Sequence, residues 1–296
     1  MKKRVFTGAG TALVTPFNQD GSVNYTKLTE LVNDQIDKGI DSLIVCGTTG
    51  EGSTLTHDEH IKVLAKAAEV SAKRVPIIAG TGSNDTAYAV ELSKEAINVG
   101  CDALLMVTPY YNKTSQRGLV AHYSHICSKV DAPVILYNVP SRTGMKITAQ
   151  TYKELSKIDN IVATKEASGD LELVKQIREL CGEELDIYSG NDDQIYDIMA
   201  LGGIGVISVF SNILPKETHN ICQYFFDGNT AKAKKMQEYY LPLMDALFMD
   251  VNPIPVKDAM DMLGLGTGPL RLPLLTMDGE GKAKLREYLV KYGLMK

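Results

Sequence analysis

The chain has 296 residues, of which 44% are hydrophobic and 23% charged, and its formal net charge is −5. These values are typical of a globular protein, and the absence of a basic cluster argues against binding to nucleic acid. Polar residues interrupt the N-terminal Met-Lys-Lys-Arg stretch before any apolar segment forms, and no apolar run reaches membrane-spanning length. We therefore expect a cytoplasmic protein with neither nucleic acid nor a membrane as a partner.

The cysteines do not indicate a metal site or a disulfide framework. Their number is odd, and their spacing does not match that of metal ligands. They are Cys46, Cys101, Cys127, Cys181 and Cys222. The pattern predicts a reduced protein without a bound metal.

Eight short runs of apolar and β-branched residues recur along the chain, separated by segments with helical periodicity. They are predicted as strands over 10–14, 42–46, 75–79, 103–107, 134–137, 161–164, 186–188 and 205–209. Continuous apolar strands that alternate with helices indicate parallel strands covered on both faces. Eight such units favour a closed (β/α)8 TIM barrel over an open sheet. A dinucleotide-binding fold is disfavoured, since no Gly-x-Gly-x-x-Gly motif follows the first strand.

After about residue 214 the strand pattern stops and helical patterns take over. Helices are predicted over 215–226, 230–248, 255–263 and 280–292, separated by glycine and proline. We interpret the chain as a barrel domain over residues 1–224 followed by a small helical domain over residues 225–296.

The most informative residue is Lys165, which directly follows the sixth strand pattern. Desolvation at the end of a buried strand favours a neutral amine. A neutral amine is a nucleophile toward carbonyl compounds and can form a Schiff base. The alternative is a structural lysine just beyond the strand, whose amine reaches back to water.

Polar or glycine-rich segments follow six consecutive strands, where the active site of a barrel forms. They are Gly47-Thr-Thr-Gly-Glu51, Gly80-Thr-Gly-Ser-Asn84, Thr108-Pro-Tyr-Tyr-Asn112, Tyr137-Asn-Val-Pro-Ser-Arg-Thr-Gly144, Lys165 and Ser189-Gly-Asn191. Each segment alone is compatible with an ordinary loop. Together they offer an amine, a proton donor, carboxylate-binding groups and a cation, which is the set that a Schiff-base enzyme needs.

At these motifs the chain resembles the pyruvate-dependent class I aldolase family, which includes N-acetylneuraminate lyase. The similarity runs from about Gly8 to the last helix. Arg142 favours the branch that condenses pyruvate with aspartate 4-semialdehyde, on the diaminopimelate route to lysine. The sugar-acid lyases of the family do not generally carry an arginine at this position. The resemblance implies a lyase that uses no organic cofactor.

The resemblance also implies which residues are catalytic. Lys165 would form the imine with pyruvate. Tyr137 would transfer protons, linked through Thr48 to Tyr111. In the family this last tyrosine comes from the neighbouring subunit, so a homo-oligomer is expected, typically a tetramer built as a dimer of tight dimers.

Substrate-binding positions follow from the same resemblance. Thr48 and Thr49 would hold the carboxylate of pyruvate, and Arg142 would hold the carboxylate of the semialdehyde. The pocket for pyruvate would also be lined by Gly190 and Ile207.

Some family members bind lysine as an inhibitor at the dimer interface. The matching positions here include Ser53, His57, His60, Asn84, Tyr88 and Tyr110. Tyr88 stands where lysine-sensitive enzymes carry a glutamate, and Gly52 stands where they carry a serine. Loss of a charge-assisted partner costs roughly 1.5–3 kcal/mol. We therefore expect lysine to inhibit weakly or not at all.

Two other functions stay open from the sequence. One is a related aldolase or lyase that joins pyruvate to a sugar-derived aldehyde. The other is a catalytically silent family member that acts as a binding protein, although binding alone does not require a lysine at this rim.

Overall fold

The eight predicted strands form a closed parallel barrel in the computed structural model, which describes residues 2–296. The strands are β1 (Gly8–Ala12), β2 (Ser42–Val45), β3 (Ile77–Gly80), β4 (Ala103–Val107), β5 (Val134–Asn138), β6 (Ile161–Glu166), β7 (Asp186–Ser189) and β8 (Gly205–Ser208). Strand β1 pairs with both β2 and β8, which closes the barrel. The predicted (β/α)8 architecture is confirmed.

Helices follow each strand, and three more come after the barrel. They are α1 (Tyr25–Asp37), α2 (His57–Ser71), α3 (Thr86–Asn98), α4 (Gln116–Cys127), α5 (Pro140–Thr143), α6 (Ala149–Leu155), α7 (Leu171–Cys181), α8 (Ile195–Ala200), α9 (Pro215–Phe226), α10 (Thr230–Ala246), α11 (Ile254–Met262) and α12 (Gly279–Lys291). Among residues 2–296, none of these helices is long and apolar enough to cross a membrane.

Local sequence sets where several helices begin. Thr56 caps α2 through a capping box with Glu59, and Asp85, Ser115 and Asp170 cap α3, α4 and α7 with their side-chain oxygens. These side chains accept hydrogen bonds from N–H groups that the first helical turn leaves unpaired.

Three strand predictions were wrong by about two residues. The predicted strand over 161–164 continues to Glu166 as β6, so Lys165 lies within the strand and does not follow it. The predicted strand over 10–14 is β1 at Gly8–Ala12, and the one over 75–79 is β3 at Ile77–Gly80. Leu13 and Val14 lie beyond the strand but are just as buried as the strand itself, so an apolar pattern does not separate them from it. Pro76 has no N–H to donate to a ladder, and β3 begins after it.

The barrel interior is packed with side chains and closed at the end away from the strand carboxyl termini. The ring of Phe6 stacks on that of Tyr188, with the centroids 4.3 Å apart. The hydroxyl of Tyr188 donates to the carbonyl oxygen of Phe6 at 2.7 Å. Because this end is filled, the opposite end of the barrel is where a ligand can enter.

The helices after the barrel pack on its last helix. Helix α10 contacts α9, which packs on β1, and α12 contacts both α10 and α11. The predicted boundary between residues 224 and 225 falls inside α9. The division into two domains remains a prediction.

A buried ion pair joins the loop after β2 to α11. The Nζ atom of Lys257 donates to Oε1 of Glu51 at 2.8 Å, and the two side chains are 2% and 0% exposed. Lys257 also donates to the carbonyl oxygen of Pro269 at 2.8 Å. The second oxygen of Glu51 accepts from the backbone N–H of Arg271 at 2.9 Å. This loop is therefore fixed by residues from the C-terminal part of the chain.

Lys257→Met should lower the free energy of unfolding by about 3–5 kcal/mol, because it leaves the Glu51 carboxylate buried without its cation. Unfolding in urea, followed by circular dichroism, measures this loss. Lys66→Met is the matched control, since Lys66 pairs with Glu69 at the surface, where a pair contributes less than about 1 kcal/mol. Equal losses in the two variants would contradict the role of the buried pair.

Candidate active site

Lys165 lies inside the barrel mouth, next to Tyr137. It is 6% exposed and pairs in register with Tyr137 of β5 on one side and Tyr188 of β7 on the other. Residues in register on parallel strands point to the same face of the sheet. The Nζ atom of Lys165 lies 4.4 Å from the centroid of the Tyr137 ring. The amine is thus held against a phenol in a mostly buried environment.

A cavity of about 180 Å³ contains this pair. Six of the eight predicted catalytic and substrate-binding residues line it: Thr48, Thr49, Tyr137, Arg142, Lys165 and Gly190. Its wall also includes Ser141, Asn191, Val209, Phe248 and Asn252. The barrel therefore brings residues that are far apart in the chain to one small cavity, which is lined by a lysine, two threonines, a tyrosine and an arginine.

The other two predicted residues lie outside the cavity wall. Tyr111 follows β4 and is 91% exposed, with a left-handed backbone (φ 67°). Ile207 is fully buried in the barrel interior, and Val209, two residues further on, lines the cavity instead.

The two threonines sit in a tightly fixed turn. Cys46 and Glu51, at either end of the turn, both have left-handed backbones, with φ of 58° and 51°. The side chain of Thr49 is buried, and its Oγ1 accepts a hydrogen bond from Nδ2 of Asn252 at 3.0 Å. Within residues 2–296, Thr48 and Tyr137 make no direct hydrogen bond to each other, so the proton path through Thr48 remains a prediction.

Arg142 is carried by the short helix α5 and is held from the far end of the chain. Its Nη2 donates to the backbone carbonyl oxygen of Asn252 at 3.1 Å. Its guanidinium belongs to the cavity wall. A fixed guanidinium at this place can bind a carboxylate with good geometry.

Gly190 is required by close packing opposite the turn. A Cβ atom at this position would lie 2.5 Å from the Cβ of Ala167 and 3.0 Å from the carbonyl oxygen of Glu166. The backbone of β7 and that of β6 therefore approach each other beside Lys165 in a way that only glycine permits.

Behind the lysine, a hydrogen-bonded carboxyl group fixes β6 from its outer face. Because side chains alternate along a strand, Glu166 points away from the cavity. It accepts hydrogen bonds from Nδ2 of Asn138 and the hydroxyl of Tyr152 at 3.0 Å, and from the N–H of Ser168 at 2.9 Å. Burial raises the pKa of this carboxyl, against the effect of its donors. The network holds the strand that carries Lys165.

A second buried carboxyl group, Asp192 in the segment after β7, shapes the cavity by binding the chain that follows β8. Oδ2 of Asp192 accepts from the N–H groups of Val209 and Phe210 at 3.0 and 2.9 Å. Burial raises the pKa of Asp192, while its hydrogen bonds and the charge of Lys165 act in the opposite direction. Asp192 thereby places Val209 in the cavity wall.

A larger cavity of about 380 Å³ adjoins the first and shares the walls formed by Thr48, Tyr137 and Arg142. Four of the predicted lysine-binding residues line it: Ser53, His60, Tyr88 and Tyr110. The structure thus places this predicted site directly beside the cavity that holds Lys165.

The remaining two residues of that predicted site contact its wall. Nδ1 of His57 lies 3.3 Å from the hydroxyl of Tyr88, and its Nε2 lies 3.2 Å from Oε1 of Glu95. Nδ2 of Asn84 donates to the carbonyl oxygen of Tyr110 at 3.1 Å. All six predicted residues therefore belong to one neighbourhood.

Sequence reasoning missed the residues that the C-terminal segment contributes. Phe248 and Asn252 lie between α10 and α11 and reach the cavity wall. No motif or periodicity marks them, and their position depends on how the last helices pack on the barrel.

The model of the dihydrodipicolinate synthetase family matches residues 5–292 of the chain. The 4-hydroxy-tetrahydrodipicolinate synthase of Thermoanaerobacter sp. (strain X514) is 52% identical over 293 residues, which cover 99% of this chain and 98% of that protein. The enzyme of the same name from Clostridium perfringens (strain SM101 / Type A) is also 52% identical, over 292 residues that cover 99% of this chain and all of that protein.

Solved structures agree with these sequence matches. Dihydrodipicolinate synthase from Aquifex aeolicus superposes with a TM-score of 0.95 at 43% identity, covering 98% of this chain and 99% of its own. The lysine-bound enzyme from Cyanidioschyzon merolae superposes with a TM-score of 0.96 at 40% identity, covering 99% of this chain and all of its own.

The buried His60 should make stability depend on pH. Its Nε2–H donates to the carbonyl oxygen of Gly80 at 2.9 Å, and burial lowers its pKa from 6.5 to about 4. Between these values the unfolded chain binds more protons, so stability falls as the pH drops, by up to about 3 kcal/mol. His60→Gln keeps a donor for Gly80 but has no group that titrates in this range. Between about pH 7 and pH 4.5, its free energy of unfolding in urea should therefore fall less than that of the wild type. The same loss in both proteins would contradict this assignment.

Proposed function

The chain belongs to the dihydrodipicolinate synthetase family, and we propose that it acts as a 4-hydroxy-tetrahydrodipicolinate synthase, which condenses pyruvate with aspartate 4-semialdehyde. The observation that carries this proposal is the amine of Lys165, buried beside Tyr137 in the cavity that also contains Arg142. Burying an amine without a partner costs free energy. A role as the nucleophile that forms a Schiff base would account for a buried amine at this position.

The first stage joins pyruvate to the enzyme. The amine of Lys165 attacks the ketone carbon of pyruvate, and Tyr137 supplies the proton with which the carbinolamine loses water. The protonated imine that results is an electron sink. It makes the methyl group of pyruvate acidic, and loss of one methyl proton gives an enamine.

Pyruvate would be oriented through its carboxylate. The hydroxyls and N–H groups of the turn at Thr48 and Thr49 face this anion, and they are preorganised because the turn is fixed at both ends. Gly190 lines the same cavity as Lys165 and adds no side chain to it.

The second stage forms the new carbon–carbon bond. Arg142 binds the carboxylate of aspartate 4-semialdehyde, and the enamine carbon attacks its aldehyde carbon. The amino group of the semialdehyde then attacks the imine carbon, which closes the ring and releases the amine of Lys165. No cofactor is needed for these steps, because the iminium supplies the electron sink.

We also propose an oligomeric state and a cellular location for the protein. Tyr111 is almost fully exposed on this chain, which supports its proposed insertion into the site of a neighbouring subunit, where it would complete the proton path from Thr48. The assembly would be a homotetramer formed from two tight dimers. We place it in the cytoplasm, where both substrates are metabolic intermediates.

Incubation with pyruvate and borohydride, followed by intact-mass measurement, tests the first stage. We expect one reduced pyruvate adduct on the wild type and on Lys153→Ala, and none on Lys165→Ala. Lys153 is the matched control because it is exposed on α6. Absence of an adduct on the folded wild type would contradict the Schiff-base mechanism and favour a silent binding protein.

A panel of aldehydes then tests the second substrate. Turnover with aspartate 4-semialdehyde but not with sugar-derived aldehydes would support the synthase. The reverse preference would show that the protein is another pyruvate-dependent aldolase of the family.

The neighbouring cavity is the proposed site for lysine, with weak affinity. Tyr88 offers a neutral phenol to a ligand ammonium. The carboxylate of Glu95, on the same helix, is engaged by His57. A neutral partner binds an ammonium less strongly than a carboxylate does.

Tyr88→Glu should therefore increase sensitivity to lysine, by about tenfold or more in the inhibitory concentration, since a charge-assisted hydrogen bond contributes roughly 1.5–3 kcal/mol. Steady-state rates at increasing lysine concentrations measure this change. Tyr88→Phe is the control and should leave inhibition weak. Strong inhibition of the wild type, unchanged in Tyr88→Glu, would show that another acid binds the ammonium.

A further inference from the structure

Asn252 belongs to the segment between α10 and α11, yet it forms part of the cavity that holds Lys165. It is 6% exposed. None of the roles proposed above uses it.

The contacts of Asn252 connect two functional groups. Its side-chain Nδ2 donates to Oγ1 of Thr49 at 3.0 Å, and its backbone carbonyl oxygen accepts from Nη2 of Arg142 at 3.1 Å. Its Oδ1 is buried without a partner. A residue that served only to fill space would not need an amide, because an unpaired buried oxygen costs free energy.

The direction of the hydrogen bond to Thr49 has a chemical consequence. A threonine hydroxyl has one proton to donate and lone pairs to accept. When the amide of Asn252 donates to the hydroxyl oxygen, the hydroxyl proton is left free to point elsewhere. Both residues line the cavity, so the hydroxyl proton can point to an anion that is bound there.

We infer that Asn252 is a positioning residue that directs the hydroxyl proton of Thr49 toward the carboxylate of pyruvate. This inference rests on the proposed function, since it takes pyruvate as the bound anion. The amide must be neutral and must donate. A carboxylate at position 252 would accept the proton of Thr49 instead, turn the oxygen of Thr49 toward the substrate, and place a second negative charge beside it.

Two substitutions of Asn252 should differ in how strongly they weaken pyruvate binding. Asn252→Asp keeps the shape of the side chain but reverses the hydrogen bond, whereas Asn252→Ala removes the side chain and leaves the hydroxyl free to rotate. We expect Asn252→Asp to be the more harmful for pyruvate binding. A side chain that only filled space would give the opposite order.

The experiment measures how much pyruvate is needed for half-maximal borohydride trapping on Lys165, with no aldehyde present. Asn252→Asp should raise this concentration by about tenfold or more relative to wild type, because the hydroxyl of Thr49 would then donate to the introduced carboxylate and not to the carboxylate of pyruvate. Asn252→Ala should raise it by less, because the hydroxyl of Thr49 stays free to donate to pyruvate. Asn229→Asp is the matched control. Asn229 caps α10 at the surface, where aspartate serves equally well.

A double-mutant cycle gives a second test that does not depend on the aspartate variant folding. If Asn252 acts through Thr49, then Asn252→Ala should add nothing further once Thr49→Val is present. An additive effect, or an aspartate variant that binds pyruvate as well as the alanine variant, would overturn the inference. Absence of any adduct on the wild type would instead contradict the proposed function.

Discussion

The constraint on which the site depends is the register between β5 and β6. Tyr137 and Lys165 are paired across the two parallel strands, so both side chains point into the barrel at the same height. A slip of one residue would turn Lys165 to the outer face, where Glu166 now lies. The hydrogen bonds from Asn138 and Tyr152 to Glu166 oppose such a slip. The chemistry of the lysine is thus secured by groups that never touch a substrate.

The C-terminal helices complete the barrel mouth. Lys257 and Arg271 hold Glu51, at the end of the threonine turn, and Asn252 contacts both Thr49 and Arg142. Removing these helices would therefore loosen the groups that are proposed to bind both carboxylates. Their contribution is preorganisation, which matters because hydrogen-bond donors stabilise developing charge only when they are already in place.

The two neighbouring cavities have part of their walls in common. They share Thr48, Tyr137 and Arg142, so a ligand in the larger one contacts the outer side of groups proposed to act in the smaller. His60, kept neutral by burial, lines the larger cavity as a hydrogen-bond donor rather than a charge.

Strand periodicity and glycine-rich motifs are local signals, so the barrel, the place of Lys165 near the end of the sixth strand and the residues of the turns could be predicted from the sequence. The apolar pattern placed the ends of three strands about two residues off, near Leu13, Pro76 and Lys165, because it does not mark where the pairing of strands begins and ends. The tertiary fold, by contrast, brings Asn252 to the cavity, since this depends on how α10 and α11 pack on the barrel. It also places Val209, just after β8, in the cavity wall, and Ile207, within β8, deeper in the barrel. The apolar pattern of the sequence does not distinguish these two depths.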